Sequence, residues 1–209
     1  MVRAMTETSV TSMDPRPVYE QAADYLGALV AAVRPDQLDG PTPCAGWTVR
    51  DLLSHLVAAT EGIAVLGETG TAPGGSGMMS AAQIADDGWG AALAAARAHL
   101  SAVWADDTKL DEVFQLPWGP KFPGRVTLAI PVFEAVVHGW DLARATGGQR
   151  RPEPGPVRFA EAVAGQFAPA GERDGRRPFG PVQTAPAEAD AQDRLAAFLG
   201  RPHDWSPAA

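Results

Sequence analysis

Apolar residues return at intervals of three and four along four long stretches of this chain, the period of an α-helix that buries one face. Over residues 18–33 the stripe is Tyr25, Leu26, Leu29, Val30 and Val33, and Arg34-Pro35 predicts where it stops. A second helix is predicted from about Val49. Thr48 and Asp51 stand three residues apart, as a capping box requires, and Leu52, Leu53, Leu56 and Val57 would then face inward. The third stretch covers residues 80–104, with Ile84, Leu93, Leu100, Val103 and Trp104 as core positions, and the fourth covers residues 131–147. Shorter helical patterns occupy residues 157–168 and 190–199, the latter stopped by Gly200.

The connections are read from their breakers. Residues 67–77, GETGTAPGGSG, are a flexible loop by composition. Before the fourth helix, Pro117, Gly119, Pro120, Pro123 and Gly124 forbid a continuous helix, while Val113, Phe114 and Leu116 suit a short extended segment, expected to lie across the bundle end near the site. The pattern as a whole predicts an all-α protein: a four-helix bundle with short C-terminal helices and an irregular loop before the fourth long helix. Residues 1–15 read as a frayed leader and residues 16–209 as a single domain.

The fourth stretch carries the chemistry. Glu134, His138 and Asp141 stand at i, i+4 and i+7 among Val132, Phe133, Val136, Val137, Trp140, Leu142 and Ala143, so three polar side chains share one stripe of an apolar helix. Charge placed there needs a partner. His55 on the second helix is also set among inward leucines, with Asp51 one turn earlier as a candidate orienting partner. His55, Glu134 and His138 make a three-donor set that leaves an open position on a divalent cation. Zinc suits these donors, and nickel, iron or manganese would accept them. Asp141 is the candidate for orienting His138 or a water, or for general base.

Each of these residues has a structural alternative. Glu134 could pair with Arg125 or Arg50, and Asp141 could accept from Trp47 or cap the chain before the second helix. Cys44 reads as a buried, inert thiol, with ligand or nucleophile as the alternative. Trp140 reads as core, His99 and His203 as structural or surface residues. Arg150, Arg151, Arg173, Arg176 and Arg177 read as solvated loop charges that could otherwise clamp an anionic substrate.

Composition narrows the class. A net charge of −8 argues against a nucleic-acid partner, and the one cysteine excludes an internal disulfide and fits a reducing, cytoplasmic setting. Nothing approaches ~18 consecutive apolar residues, so no membrane span is expected. An unused apolar helix face would allow a homodimer.

Three segments, TPCAGWTVRDLLSHL, FEAVVHGWDLARATGG and FGPVQTAPAEADAQDRLAAFLGRPHDW, resemble the DinB-like metal-binding helix-bundle superfamily. Within it they are most similar to the branch that includes mycothiol-dependent maleylpyruvate isomerase. The likeness runs over about residues 19–205, and its most specific part is a histidine seven residues after a capping threonine combined with E-x-x-x-H-G-W-D-L-A-x-A-x-G. The resemblance implies a four-helix bundle holding zinc or nickel through His55, Glu134 and His138, with a small thiol such as mycothiol as cosubstrate. It implies a thiol S-transferase or isomerase acting on a small electrophilic metabolite. The isomerase proper has a further C-terminal domain, which this chain is expected to lack. A metal-dependent hydrolase or tailoring enzyme of secondary metabolism, and a non-catalytic bundle that binds a small molecule or metal, stay open beside it.

Overall fold

The computed structural model describes residues 12–72, 84–116, 121–168, 170 and 179–207. Helix α1, Arg16–Ala31, opens with a proline in its first turn and buries Tyr19, Ala22, Tyr25, Leu26, Leu29 and Val30, a stripe at helical spacing. A 3-10 turn, Pro35–Gln37, follows the predicted stop. Helix α2, Val49–Thr69, begins with the expected box: Thr48 accepts from the Asp51 backbone N–H while the Asp51 carboxylate accepts from Thr48.

Two boundaries differ from the sequence reading. α2 continues through Gly67 to Thr69 and ends on Gly70 in the left-handed conformation. Gly67 is a packing residue, since a Cβ there would lie 2.7 Å from the Trp104 indole, whose N–H donates to the Ile63 carbonyl at 3.1 Å. The rest of the expected 67–77 loop, from residue 73, lies outside the described residues. Helix α3, Trp89–Val103, starts nine residues later than expected; residues 84–88 make a turn closed by Gly88 N–H to Ala85 carbonyl, and residues 80–83 are not described. Asp86-Asp87-Gly88 is turn chemistry that the apolar period of Ile84 and Leu93 concealed.

The extended segment expected at Val113, Phe114 and Leu116 is present over Val113–Gln115, while Pro117, Gly119 and Pro120 lie outside the described residues. Strand β1, Val113–Gln115, pairs antiparallel with β2, Lys121–Pro123, placing Phe114 opposite Phe122. The ring contacts of the pair are Phe114 on Trp104 and Phe122 on Phe167, so it braces the core rather than the site. A single turn α4, Gly124–Thr127, leads into α5, Ala129–Thr146. Helix α6, Pro154–Phe167, and α7, Ala191–Phe198, complete the fold.

Helix α5 is the central element. It packs on α1, α2, α6 and α7, while α3 lies against α2 and α1, giving the predicted all-α bundle of four long helices, α1, α2, α3 and α5. By length and composition Gly124–Thr146 could cross a membrane, but 89% of its most apolar window is already buried inside the protein. Gly139 lets α1 approach. A Cβ at 139 would lie 2.3 Å from Cε1 of the buried Tyr25 ring. Gly139→Ala is therefore expected to destabilise by ~1–3 kcal/mol despite the higher helix propensity of alanine. Urea unfolding that found the variant as stable as the parent would show that Tyr25 has room to move.

Candidate metal centre

Helix α2 and helix α5 run side by side, and the fixed start of α2 at Thr48 puts His55 nearly two turns into it, facing α5. There Nε2 of His55 lies 2.9 Å from Oε2 of Glu134, and Nε2 of His138 lies 3.1 Å from the same oxygen. The three donor atoms all fall within 4.8 Å of one another. Their side chains are 22%, 22% and 12% exposed for His55, Glu134 and His138, so the cluster is recessed yet reachable from solvent. Trp47 walls one side, with its ring centroid 5.1 Å from that of His55 and stacked 6.2 Å from that of His138.

Behind His138 lies a buried cluster of polar contacts. Its Nδ1 lies 2.9 Å from Oδ2 of Asp141, a fully buried carboxylate. The same oxygen accepts from the Cys44 thiol at 3.1 Å and from Nη2 of Arg201 at 3.0 Å, and Oδ1 accepts from Nε of Arg201 at 3.2 Å. Arg201 is itself buried and packs over the Phe179 ring.

These contacts decide the charges. Burial alone would raise the carboxyl pKa of Asp141, but the Arg201 charge and the bond from His138 outweigh it and hold Asp141 well below the usual range. Burial likewise opposes ionisation of Glu134, and His138 followed by His55 more than offsets it, again downward. For His138, burial disfavours the cation, while Asp141, Cys44 and Glu134 together raise its pKa well above the ordinary value.

A divalent cation fits this donor set. With Nδ1–H of His138 given to Asp141, Nε2 is the nitrogen left to face Glu134 and His55, the arrangement in which a carboxylate fixes the tautomer of a ligating imidazole. One carboxylate oxygen is the target of two imidazole nitrogens, and a cation placed there would replace the protons that otherwise bridge them. A second converging set, Cys44, His138 and Asp141, fits poorly, because the Arg201 guanidinium already bonds both Asp141 oxygens and would oppose another cation.

A pH dependence follows. The proton on His138 stabilises the metal-free fold fully below the ordinary imidazole value of 6.5, and that contribution is lost as pH rises through the raised folded value. A cation held at Nε2 would have to displace this proton, so its affinity should rise with pH by up to about tenfold per unit until His138 is neutral. Chelator competition at several pH values measures it; a flat profile would contradict the assignment.

Several sequence expectations resolve here. Asp51 is committed to Thr48 and not to His55. Arg125 pairs with Asp111, and Arg50 with Asp39 and Asp86, so neither takes Glu134. Asp141 accepts from Cys44 and Arg201 rather than from Trp47. Trp140 is core, its N–H on Asp193 at 2.6 Å. His99 sits between Glu61 and Glu68, and His203 is exposed. Arg151 pairs with Asp190 and Asp193, Arg150 is exposed, and Arg173, Arg176 and Arg177 lie outside the described residues. Cys44, read as an inert thiol, is part of the polar cluster. No local pattern points to Arg201; its one signal is the arginine of GRPHDW in the last segment of the resemblance.

Known proteins resemble this chain in sequence and in fold. An uncharacterized protein of Mycobacterium tuberculosis, found in strains CDC 1551 / Oshkosh and ATCC 25618 / H37Rv, is 36% identical over 198 residues, covering 90% of this chain and 98% of that protein. Two solved structures share the fold. The crystal structure of the mycothiol-dependent maleylpyruvate isomerase has a TM-score of 0.56 and 17% identity, and a histidine-to-alanine mutant of it has 0.55 and 16%; each match covers 73% of this chain and 70% of that one. The family profile described as mycothiol maleylpyruvate isomerase N-terminal domain matches residues 19–143, the span that holds His55, Glu134, His138 and Asp141, and the chain belongs to that family.

Proposed function

We propose that this protein is a metal-dependent enzyme that uses a small thiol, mycothiol in the first instance, to isomerise or conjugate a small electrophilic metabolite in the cytoplasm. The observation that carries the reading is the convergence of His55, Glu134 and His138 from two helices on one recessed point. Family membership and the structural likeness to a mycothiol-dependent isomerase support the thiol part.

His55, Glu134 and His138 would hold the cation, zinc by donor type, with nickel, iron or manganese as other candidates. Bound there, a divalent cation supplies Lewis acidity and lowers the pKa of a thiol or water that meets it. Glu134, Asp141 and Arg201 sum to one negative charge. With neutral imidazoles a divalent cation leaves one positive charge over, which favours an anionic sulfur or oxygen in the pocket. Asp141 is assigned the orienting role and not that of general base, because four hydrogen bonds from His138, Cys44 and Arg201 occupy its oxygens. Trp47 shields the imidazoles on one side. In the isomerisation, the thiol, its proton already lost to solvent, adds as thiolate to one carbon of a conjugated double bond, and the π electrons move to the adjoining carbonyl as an enolate. The new single bond rotates; return of the enolate electrons re-forms the double bond and expels the thiolate.

The test is zinc-loaded protein with mycothiol and maleylpyruvate, following loss of the cis double bond with and without thiol. Thiol-dependent turnover supports the proposal. Metal uptake with water-dependent but thiol-independent turnover of other electrophiles would replace it with a metal hydrolase, and absence of metal uptake would remove the catalytic reading.

A further inference from the structure

The Asp141 carboxylate that fixes His138 is held by a residue from far along the chain. Helix α7 ends in a Schellman motif: Gly200, at φ 89°, donates its N–H to the Ala197 carbonyl, and the Arg201 N–H donates to the Ala196 carbonyl at 3.0 Å. That turn requires glycine twice over, since a Cβ at 200 would also lie 2.6 Å from the Gly180 backbone. Its effect is to aim the next side chain inward. Arg201 is 5% exposed, its Nη1 donates to the Leu199 carbonyl at 3.3 Å, and its guanidinium fork takes both oxygens of Asp141.

A buried carboxylate with a single neighbour can turn about its χ angles, whereas one gripped at both oxygens by a planar fork has one orientation. In that orientation Oδ2 faces Nδ1 of His138. We propose that Arg201 is a positioning residue of the metal centre: through Asp141 it fixes the His138 ring and tautomer, so that metal affinity depends on the docked segment after α7. The inference rests on the metal-dependent reading above.

Zinc affinity by chelator competition and the visible spectrum of the cobalt(II) form, at fixed pH, test it on full-length protein. Arg201→Met is expected to weaken zinc about 10- to 100-fold and to alter the cobalt spectrum. Arg201→Lys, which keeps charge without the fork, should recover part of the loss. Combining Arg201→Met with Asp141→Asn should cost little more than either alone, because both act through one imidazole nitrogen. A purely structural arginine would lower the unfolding midpoint and leave folded-state affinity and spectrum unchanged, and that result overturns the proposal. If Arg201→Met does not fold, the imidazole ¹⁵N shifts of Arg201→Lys decide, with an unaltered His138 tautomer and ring environment counting against it. Wild-type protein that binds no zinc or cobalt overturns the metal reading itself, and this inference with it, whereas tight binding by wild type and Arg201→Met alike overturns this inference alone.

Discussion

His138→Ala is expected to lose stoichiometric metal, with affinity falling by more than about a hundredfold, beyond what removing an orienting partner costs. Three donors meet at this point, and His138 is the one whose second nitrogen is also fixed, by Asp141 at 2.9 Å. Two donors, His55 Nε2 and Glu134 Oε2, would be left. His99→Ala is the control: that imidazole bonds Glu61 on the other side of α2 and should leave metal content unchanged. Elemental analysis of both variants after equilibration with excess zinc and gel filtration measures the effect. Full metal content in His138→Ala would remove the ligand assignment, even though the fold would stand.

The second large effect concerns stability. Asp141→Ala should destabilise the protein by ~3–5 kcal/mol near neutral pH, the cost of stranding a buried charge without its partner. Arg201 is 5% exposed and has no other carboxylate within ion-pair distance among the described residues, so its charge would face only Cys44, the Leu199 carbonyl and the Phe179 ring. Asp141→Asn keeps the shape and one acceptor and should cost less. The sign with pH is fixed by the carboxyl's lowered pKa. Its contribution is complete above the ordinary value of 3.8 and is lost as pH falls toward the folded value, so wild type and Asp141→Ala should converge in stability in strong acid. Urea titrations at neutral and acid pH measure both. A loss under about 1 kcal/mol at neutral pH would mean that Arg201 escapes to water.

The sequence by itself determined the long helices and the donors on them. Periodicity marked the buried stripes of α1, α2 and α5, and the Thr48–Asp51 box set the rotation of α2 because a capping box fixes where a helix begins. From that start His55 had to face inward, and the i, i+4 spacing had to put Glu134 and His138 on one face of α5. Local spacing could carry this much because each statement lies within one helix.

Only the tertiary structure decided what met what. The apolar period around Ile84 and Leu93 hid the turn before α3, and Gly67, a loop residue by local composition, is a helix residue that makes room for Trp104. The extended segment at Val113–Gln115 was legible, but its antiparallel partner Lys121–Pro123 was not, since three residues are too few to alternate. Cys44 and Arg201 stand 157 residues apart yet share one carboxylate. No period links them. Their meeting depends on how α7 packs on α5 and on a glycine turn that points one arginine into the core, and contact between distant segments is a property of packing that a linear pattern does not encode.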